Sequence, residues 1–143
     1  TYGGDICERL HGHNYRVEAE VFGPLDQNHY VVDFIFLRDT LKQLVDQWDH
    51  HMLLPTRHEM IRVSADDKEV LVRFRERRWV FPKGDCILLP VPNTTSELLA
   101  NCLGQCLIEA WSGQPGSDNW QLRIGVDENN GQWGYCNFRV AKP

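Results

Sequence analysis

Apolar residues at three- and four-residue steps, Leu98, Leu99, Cys102, Leu103, Cys106, Leu107 and Trp111, constrain the fold more than any other stretch of this chain. A helix gathers them on one side, and a stripe that wide has to be covered by another layer. Thr94-Thr95-Ser96-Glu97 precedes the stripe, offering hydroxyl caps and a glutamate where the helix dipole favours negative charge, so the helix is expected to start near Thr95 or Ser96. Period-two segments supply sheet. Arg16 to Phe22 sets Val17, Ala19 and Val21 against Arg16, Glu18 and Glu20. Trp120 to Val126 alternates in the same way, and Gly131 to Val140 reads as the final strand.

A second helix is expected over Asp33 to Trp48, with Asp33 as its cap and Leu37, Leu41, Leu44, Val45 and Trp48 on one face. Tyr30 to Val32 reads as a short extended piece before it, and Leu53-Leu54-Pro55 cannot comfortably continue the helix. Between the helices, Val63 to Phe81 carries two β-rich runs, Val70–Phe74 and Arg78–Phe81, separated by Arg75, Glu76 and Arg77. Arg73, Arg75, Arg77 and Arg78 form a basic patch on this hairpin, 70–81. It fits a solvated surface, a polyphosphate contact or a subunit contact. Gln114 to Asp118 is a loop. The order is strand, helix, hairpin, helix, strand, strand. That is an α+β architecture, an antiparallel sheet with two helices packed on one face. Residues 1–143 show no internal boundary and read as one domain.

Charge and cysteine usage narrow the function classes. A net charge of −5 with both signs interspersed gives no electrostatic case for nucleic acid. No apolar run is long enough to span a bilayer. The five cysteines, at 7, 86, 102, 106 and 136, are odd in number and contain no C-x-x-C pair. They read as reduced thiols in a cytoplasmic setting, all but Cys7 as small buried hydrophobes.

The chemistry-bearing residues precede the first strand and follow the first helix. In an extended chain His11 and His13 point to one face, so both imidazoles can reach one metal ion; two surface histidines would look the same. Cys7, four residues earlier, is a candidate thiolate base or nucleophile. Asp49-His50-His51 places a carboxylate beside an imidazole, which suits acid–base work, and it is also an unremarkable helix end. There is no H-E-x-x-H, G-x-S-x-G, P-loop or dinucleotide fingerprint.

In order along the chain, Cys7-x-x-x-His11-Gly12-His13-Asn14-Tyr15, Gly23-Pro24-Leu25-Asp26, Val31-Val32-Asp33-Phe34, Trp48-Asp49-His50-His51-x-Leu53, Thr95-Ser96-Glu97 and Val126-Asp127-Glu128 resemble the 6-pyruvoyl-tetrahydropterin and 6-carboxy-tetrahydropterin synthase family. The resemblance covers nearly the whole chain apart from a hairpin insertion at about 57–90. It implies the tunnelling fold, in which subunit sheets join into barrels, often as hexamers. It also implies zinc, and 7,8-dihydroneopterin triphosphate as substrate.

By position, His11 and His13 resemble two zinc ligands, Cys7 the catalytic thiol, and Asp49 with His50 a second proton-transfer unit. Glu128 resembles the carboxylate that anchors the pterin, with Thr95 and Glu97 shaping the pocket. The family's third zinc histidine lies on a strand before the cysteine motif, and the sequence begins too late to hold it; the expectation is that this N-terminal strand is missing. His29, His51 and His58 are conceivable substitutes, none at a position the family uses. The three-residue gap between Cys7 and His11 is similar to the 6-carboxy type, which also releases acetaldehyde and triphosphate and serves queuosine biosynthesis. Formation of 6-pyruvoyl-tetrahydropterin and a non-catalytic pterin-binding relative are the alternatives.

Overall fold

The alternating segment Arg16–Phe22 forms strand β1, and the capped stripe after it forms helix α1 over Phe34–Asp46. Then follow β2 (Met52–Pro55), β3 (Arg62–Ala65), β4 (Glu69–Phe74), β5 (Arg77–Pro82) and β6 (Cys86–Leu89), before helix α2 (Ser96–Ala110), β7 (Gln121–Asp127) and β8 (Trp133–Arg139). Short 3₁₀ turns occupy Lys83–Asp85 and Ser117–Asn119. This computed structural model describes residues 1–3, 5–111, 114 and 116–140. They divide into two compact units. The first comprises Thr1–Gly12 and Trp48–Thr94, and the second His13–Gln47 and the described part of Thr95–Pro143.

In the second unit the sheet order is β1-β7-β8, antiparallel throughout. The register sets Val17, Ala19 and Val21 opposite Val126, Ile124 and Leu122. Helix α2 packs on β7 and β8, and α1 packs against α2. Leu99, Leu103 and Leu107 of α2, with Leu122, Ile124 and Val126 of β7, are each at most 2% exposed. Each such burial contributes about 1.5–3 kcal/mol. Trp111 and Trp120 meet edge to face, ring centroids 5.3 Å apart.

Gly134 fixes how closely α2 can approach β8. A Cβ there would stand 2.6 Å from the Glu97 nitrogen and 2.8 Å from the Ser96 carbonyl carbon, both backbone atoms that cannot swing away. Gly134→Ala is expected to destabilise the protein by about 1–3 kcal/mol. Thermal unfolding is the check, with Gly84→Ala, where an added Cβ meets nothing within 4 Å, expected to melt like wild type.

In the first unit β3-β4-β5 form an antiparallel sheet, and β2 pairs with β6 in parallel. Leu54, Val70 and Val72 make its core, with Trp79 and Phe81 packed against them.

Several expectations need correction. The parallel pair β2–β6 departs from an all-antiparallel reading, and β3 adds a third strand to the hairpin. Tyr30 to Val32 is bend and coil. Asp33 caps α1 as expected, its Oδ1 accepting from the Ile35 and Phe36 amides at 2.7 and 3.3 Å. Thr95 occupies the cap position of α2 in extended conformation, yet its side chain makes no cap bond. Of the four cysteines expected to be buried only Cys102 is; Cys86, Cys106 and Cys136 are half-buried, and all five thiols are free. In the loop expected at Gln114 to Asp118, Pro115 lies outside the described residues, and Ser117 already begins a 3₁₀ turn.

Candidate active site

The site residues expected from sequence are distributed over both units: Cys7, His11, Asp49 and His50 in the first, and His13, Thr95, Glu97 and Glu128 in the second.

In the first unit, His11 Nδ1 lies 2.7 Å from the Arg9 carbonyl oxygen. A carbonyl can only accept, so Nδ1 carries the proton and the lone pair of the neutral ring is on Nε2, the state an imidazole needs to bind a metal. Cys7 is half-buried, and its thiol donates to the Glu8 carbonyl at 3.6 Å. Its segment borders a groove of about 440 Å³ shared with the hairpin tip Phe74 to Arg77.

Asp49 Oδ2 sits 2.9 Å from His50 Nδ1. The carboxylate only accepts, so Nδ1 donates and Nε2 is left as the basic nitrogen. Sequence adjacency alone does not force this contact. Here the backbone arranges it, with His50 at φ 59°, a left-handed conformation uncommon outside glycine, in the turn after α1. His50's side chain is 91% exposed, so the pair sets a tautomer and adds little to stability.

In the second unit, His13 Nε2 and Glu128 Oε1 are 3.1 Å apart. Tyr15 stands beside them, its ring centroid 5.5 Å from that of His13. Partial burial pushes the Tyr15 hydroxyl up from its ordinary pKa, and the Glu128 carboxylate adds to the rise. Glu128 follows Asp127, which is 1% exposed and accepts from the Asn129 and Gly131 amides at 3.1 and 2.9 Å. Glu128's own amide donates to the Gln132 carbonyl at 3.2 Å, so the turn carrying its side chain is pinned at both ends. Thr95 and Glu97 lie at the N-terminus of α2, Thr95 half-buried and Glu97 exposed.

Among the described residues no group of three or more His, Cys, Asp or Glu side chains could hold a metal ion. His58 is spent otherwise. It is buried, and its Nδ1 accepts from the Met60 and Ile61 amides at 2.9 and 3.0 Å.

Two features escaped sequence reading. Asp127 was legible in principle, because Asp127-Glu128-Asn129-Asn130-Gly131 is a turn-rich run ending in Asn-Gly. Arg77 was not: its Nη1 and Nη2 donate to the Cys7 and Glu8 carbonyls at 2.6 and 3.1 Å, a long-range contact with no local signal.

In the second unit a three-stranded antiparallel sheet carries α2, and α1 packs on α2, an α+β arrangement. The chain's relatives specify the class. The model of the family described as 6-pyruvoyl tetrahydropterin synthase matches residues 2–136. The chain belongs to that family. A Methanocaldococcus jannaschii protein named "Putative 6-carboxy-5,6,7,8-tetrahydropterin synthase" is 30% identical over 138 residues, covering 95% of this chain and 83% of its own. A Pyrococcus horikoshii protein of the same name is 26% identical, covering 94% of this chain and 78% of its own. Among solved structures, the 6-pyruvoyl tetrahydropterin synthase of Plasmodium falciparum superposes with a TM-score of 0.89 at 27% identity, covering 98% of this chain and 87% of its own.

Proposed function

We propose that the protein converts 7,8-dihydroneopterin triphosphate to 6-carboxy-5,6,7,8-tetrahydropterin, releasing acetaldehyde and triphosphate. The observation that carries this reading is the 3.1 Å contact between His13 and Glu128, which places an acceptor carboxylate next to an imidazole of the H-G-H motif. The 6-carboxy branch is favoured by the names of the archaeal relatives and by the three-residue gap between Cys7 and His11. The Plasmodium structural relative, a 6-pyruvoyl synthase, favours the other branch as second reading.

Glu128 would take the pterin ring, its two oxygens accepting from the amino group and a ring N–H. Asp127 holds the turn that presents this carboxylate. Cys7, as thiolate, would remove a proton from the substrate's side-chain carbon. His50, its Nδ1 turned to Asp49, would move the second proton through Nε2. The side chain is oxidised as the ring gains two electrons and two protons, so the redox change is internal to the substrate; water is consumed as acetaldehyde and triphosphate depart.

The family implies zinc. The Nδ1-protonated ring of His11 fits as a ligand. His13, whose Nε2 faces Glu128 Oε1 at 3.1 Å, would be the second only by its place in the H-G-H motif. A third donor is not among the described residues. Bound there, zinc would polarise the side-chain oxygens and acidify the neighbouring C–H and O–H bonds.

On the same reading, the segment 57–90 is an insertion relative to the family core, subunits join their sheets into a barrel as a homo-oligomer such as a hexamer, and the protein works in the cytoplasm towards 7-deazapurine (queuosine-type) products. Mass spectrometry of a zinc-loaded incubation decides between the branches. A 6-carboxytetrahydropterin with acetaldehyde supports the proposal, and a 6-pyruvoyl product assigns the protein to the second reading.

A further inference from the structure

The hairpin β4–β5 has a tight tip. Phe74 pairs with Arg77, Arg75 takes a left-handed φ of 51°, and Asp5 lies 3.5 Å from the Arg75 guanidinium. Of the four arginines that sequence grouped as a basic patch, Arg73, Arg75 and Arg78 are exposed, and Arg77 is half-buried. Its guanidinium lies 4.6 Å from the centre of the Trp79 ring, which limits its rotamers. From there it donates at 2.6 Å to the Cys7 carbonyl and at 3.1 Å to the Glu8 carbonyl.

Two successive carbonyls are matched by a rigid fork of N–H groups; a lysine ammonium, a point donor on a flexible stem, cannot hold both in one plane. The Glu8 carbonyl is also the acceptor of the Cys7 thiol. One guanidinium therefore grips the backbone of the cysteine and the group that orients its sulfur. The segment that carries Cys7 is also tied by the Tyr2–Ile6 bridge, the Asp5–Arg75 pair and the bonds of Thr1 to Asn93 and His58, but none of these contacts is made by Cys7 or Glu8.

We propose that Arg77 is a positioning residue that holds Cys7 for proton transfer, making the hairpin part of the catalytic apparatus. This rests on the reading of Cys7 as the catalytic thiol. A thiol displaced by about an ångström loses on the order of 100-fold in rate while substrate binding is untouched.

The test compares Arg77→Ala, Arg77→Lys and Arg78→Ala in the zinc-loaded full chain, by kcat, KM, melting temperature and the rate of Cys7 alkylation by iodoacetamide followed by peptide mass mapping. Arg77→Ala is expected to lower kcat by about 10- to 100-fold with KM within about twofold, and to change the Cys7 alkylation rate by at least about threefold. Arg77→Lys should recover part of kcat, and Arg78→Ala should match wild type. Wild-type kcat and alkylation in Arg77→Ala would overturn the proposal. So would a kcat loss that follows a fall in melting temperature and is not rescued by lysine. The alkylation arm needs no turnover: if wild type turned over nothing, the proposed reaction would fail while a changed Cys7 reactivity in Arg77→Ala still established the positioning contact.

Discussion

Cys7→Ala is expected to lower kcat by about 10³-fold, since a positioned acid–base group contributes typically 10²–10⁴. The substitution removes a sulfur that is half-buried beside an open groove and whose hydrogen bond goes to the Glu8 carbonyl. No packed core side chain is lost, so the melting temperature should hold. Zinc content and pterin affinity should also hold, because the proposed ligands and ring anchor are elsewhere. Steady-state kinetics with metal analysis and a binding titration make the check. Cys7→Ala with unchanged kcat would remove the thiol from the mechanism. A wild type that binds zinc and pterin without turnover would make the protein a binding relative.

Glu128→Gln should act on binding. A carboxylate offers two acceptors to the pterin's amino and ring N–H groups, whereas the amide turns an NH₂ towards one of those donors. Losing one charge-assisted hydrogen bond costs about 1.5–3 kcal/mol, and a donor facing a donor adds to it, so the pterin Kd should rise by about 10- to 100-fold. Asp127 is untouched by the substitution and keeps its bonds to the Asn129 and Gly131 amides, so the turn persists. Titration of wild type and Glu128→Gln with dihydroneopterin, calorimetrically or by fluorescence, reads the difference. Equal affinities would move the ring anchor away from Glu128.

The elements with clear periodicity were legible from sequence for physical reasons. Strand β1 alternates apolar and polar residues in sequence although Val17 to Val21 are all half-buried, and most of the stripe of α2 is buried whereas α1, also periodic, has no fully buried residue. Strands β2 and β6 were not legible. Each is four residues long, Met52–Pro55 and Cys86–Leu89 are short apolar runs without alternation, and the parallel partner lies far along the chain. Strand β3, Arg62–Ala65, has one half-buried residue and three exposed ones, too little pattern to announce itself. At Thr95 the cap position was readable but its bonding was not, because a hydroxyl rotamer is chosen by tertiary surroundings.

The candidate site came through sequence as short motifs in order, which name residue types and not contacts. Adjacency of Asp49 and His50 left their bond undecided until the left-handed turn at His50 was seen. Approach of His13 to Glu128 depends on the β1–β7 register, which sets Arg16 opposite Asp127. The hold of Arg77 on Cys7 depends on the folding of the hairpin.

The central claim is that this chain carries out an internal redox rearrangement of a dihydropterin with its own acid–base groups. The most direct measurement is a single-turnover incubation of zinc-loaded protein, in excess over 7,8-dihydroneopterin triphosphate and with no nicotinamide or flavin added, counting each product. The account predicts one 6-carboxytetrahydropterin, one acetaldehyde and one triphosphate for each substrate consumed. Recovery of intact dihydroneopterin triphosphate, or triphosphate released without any tetrahydropterin, would contradict it.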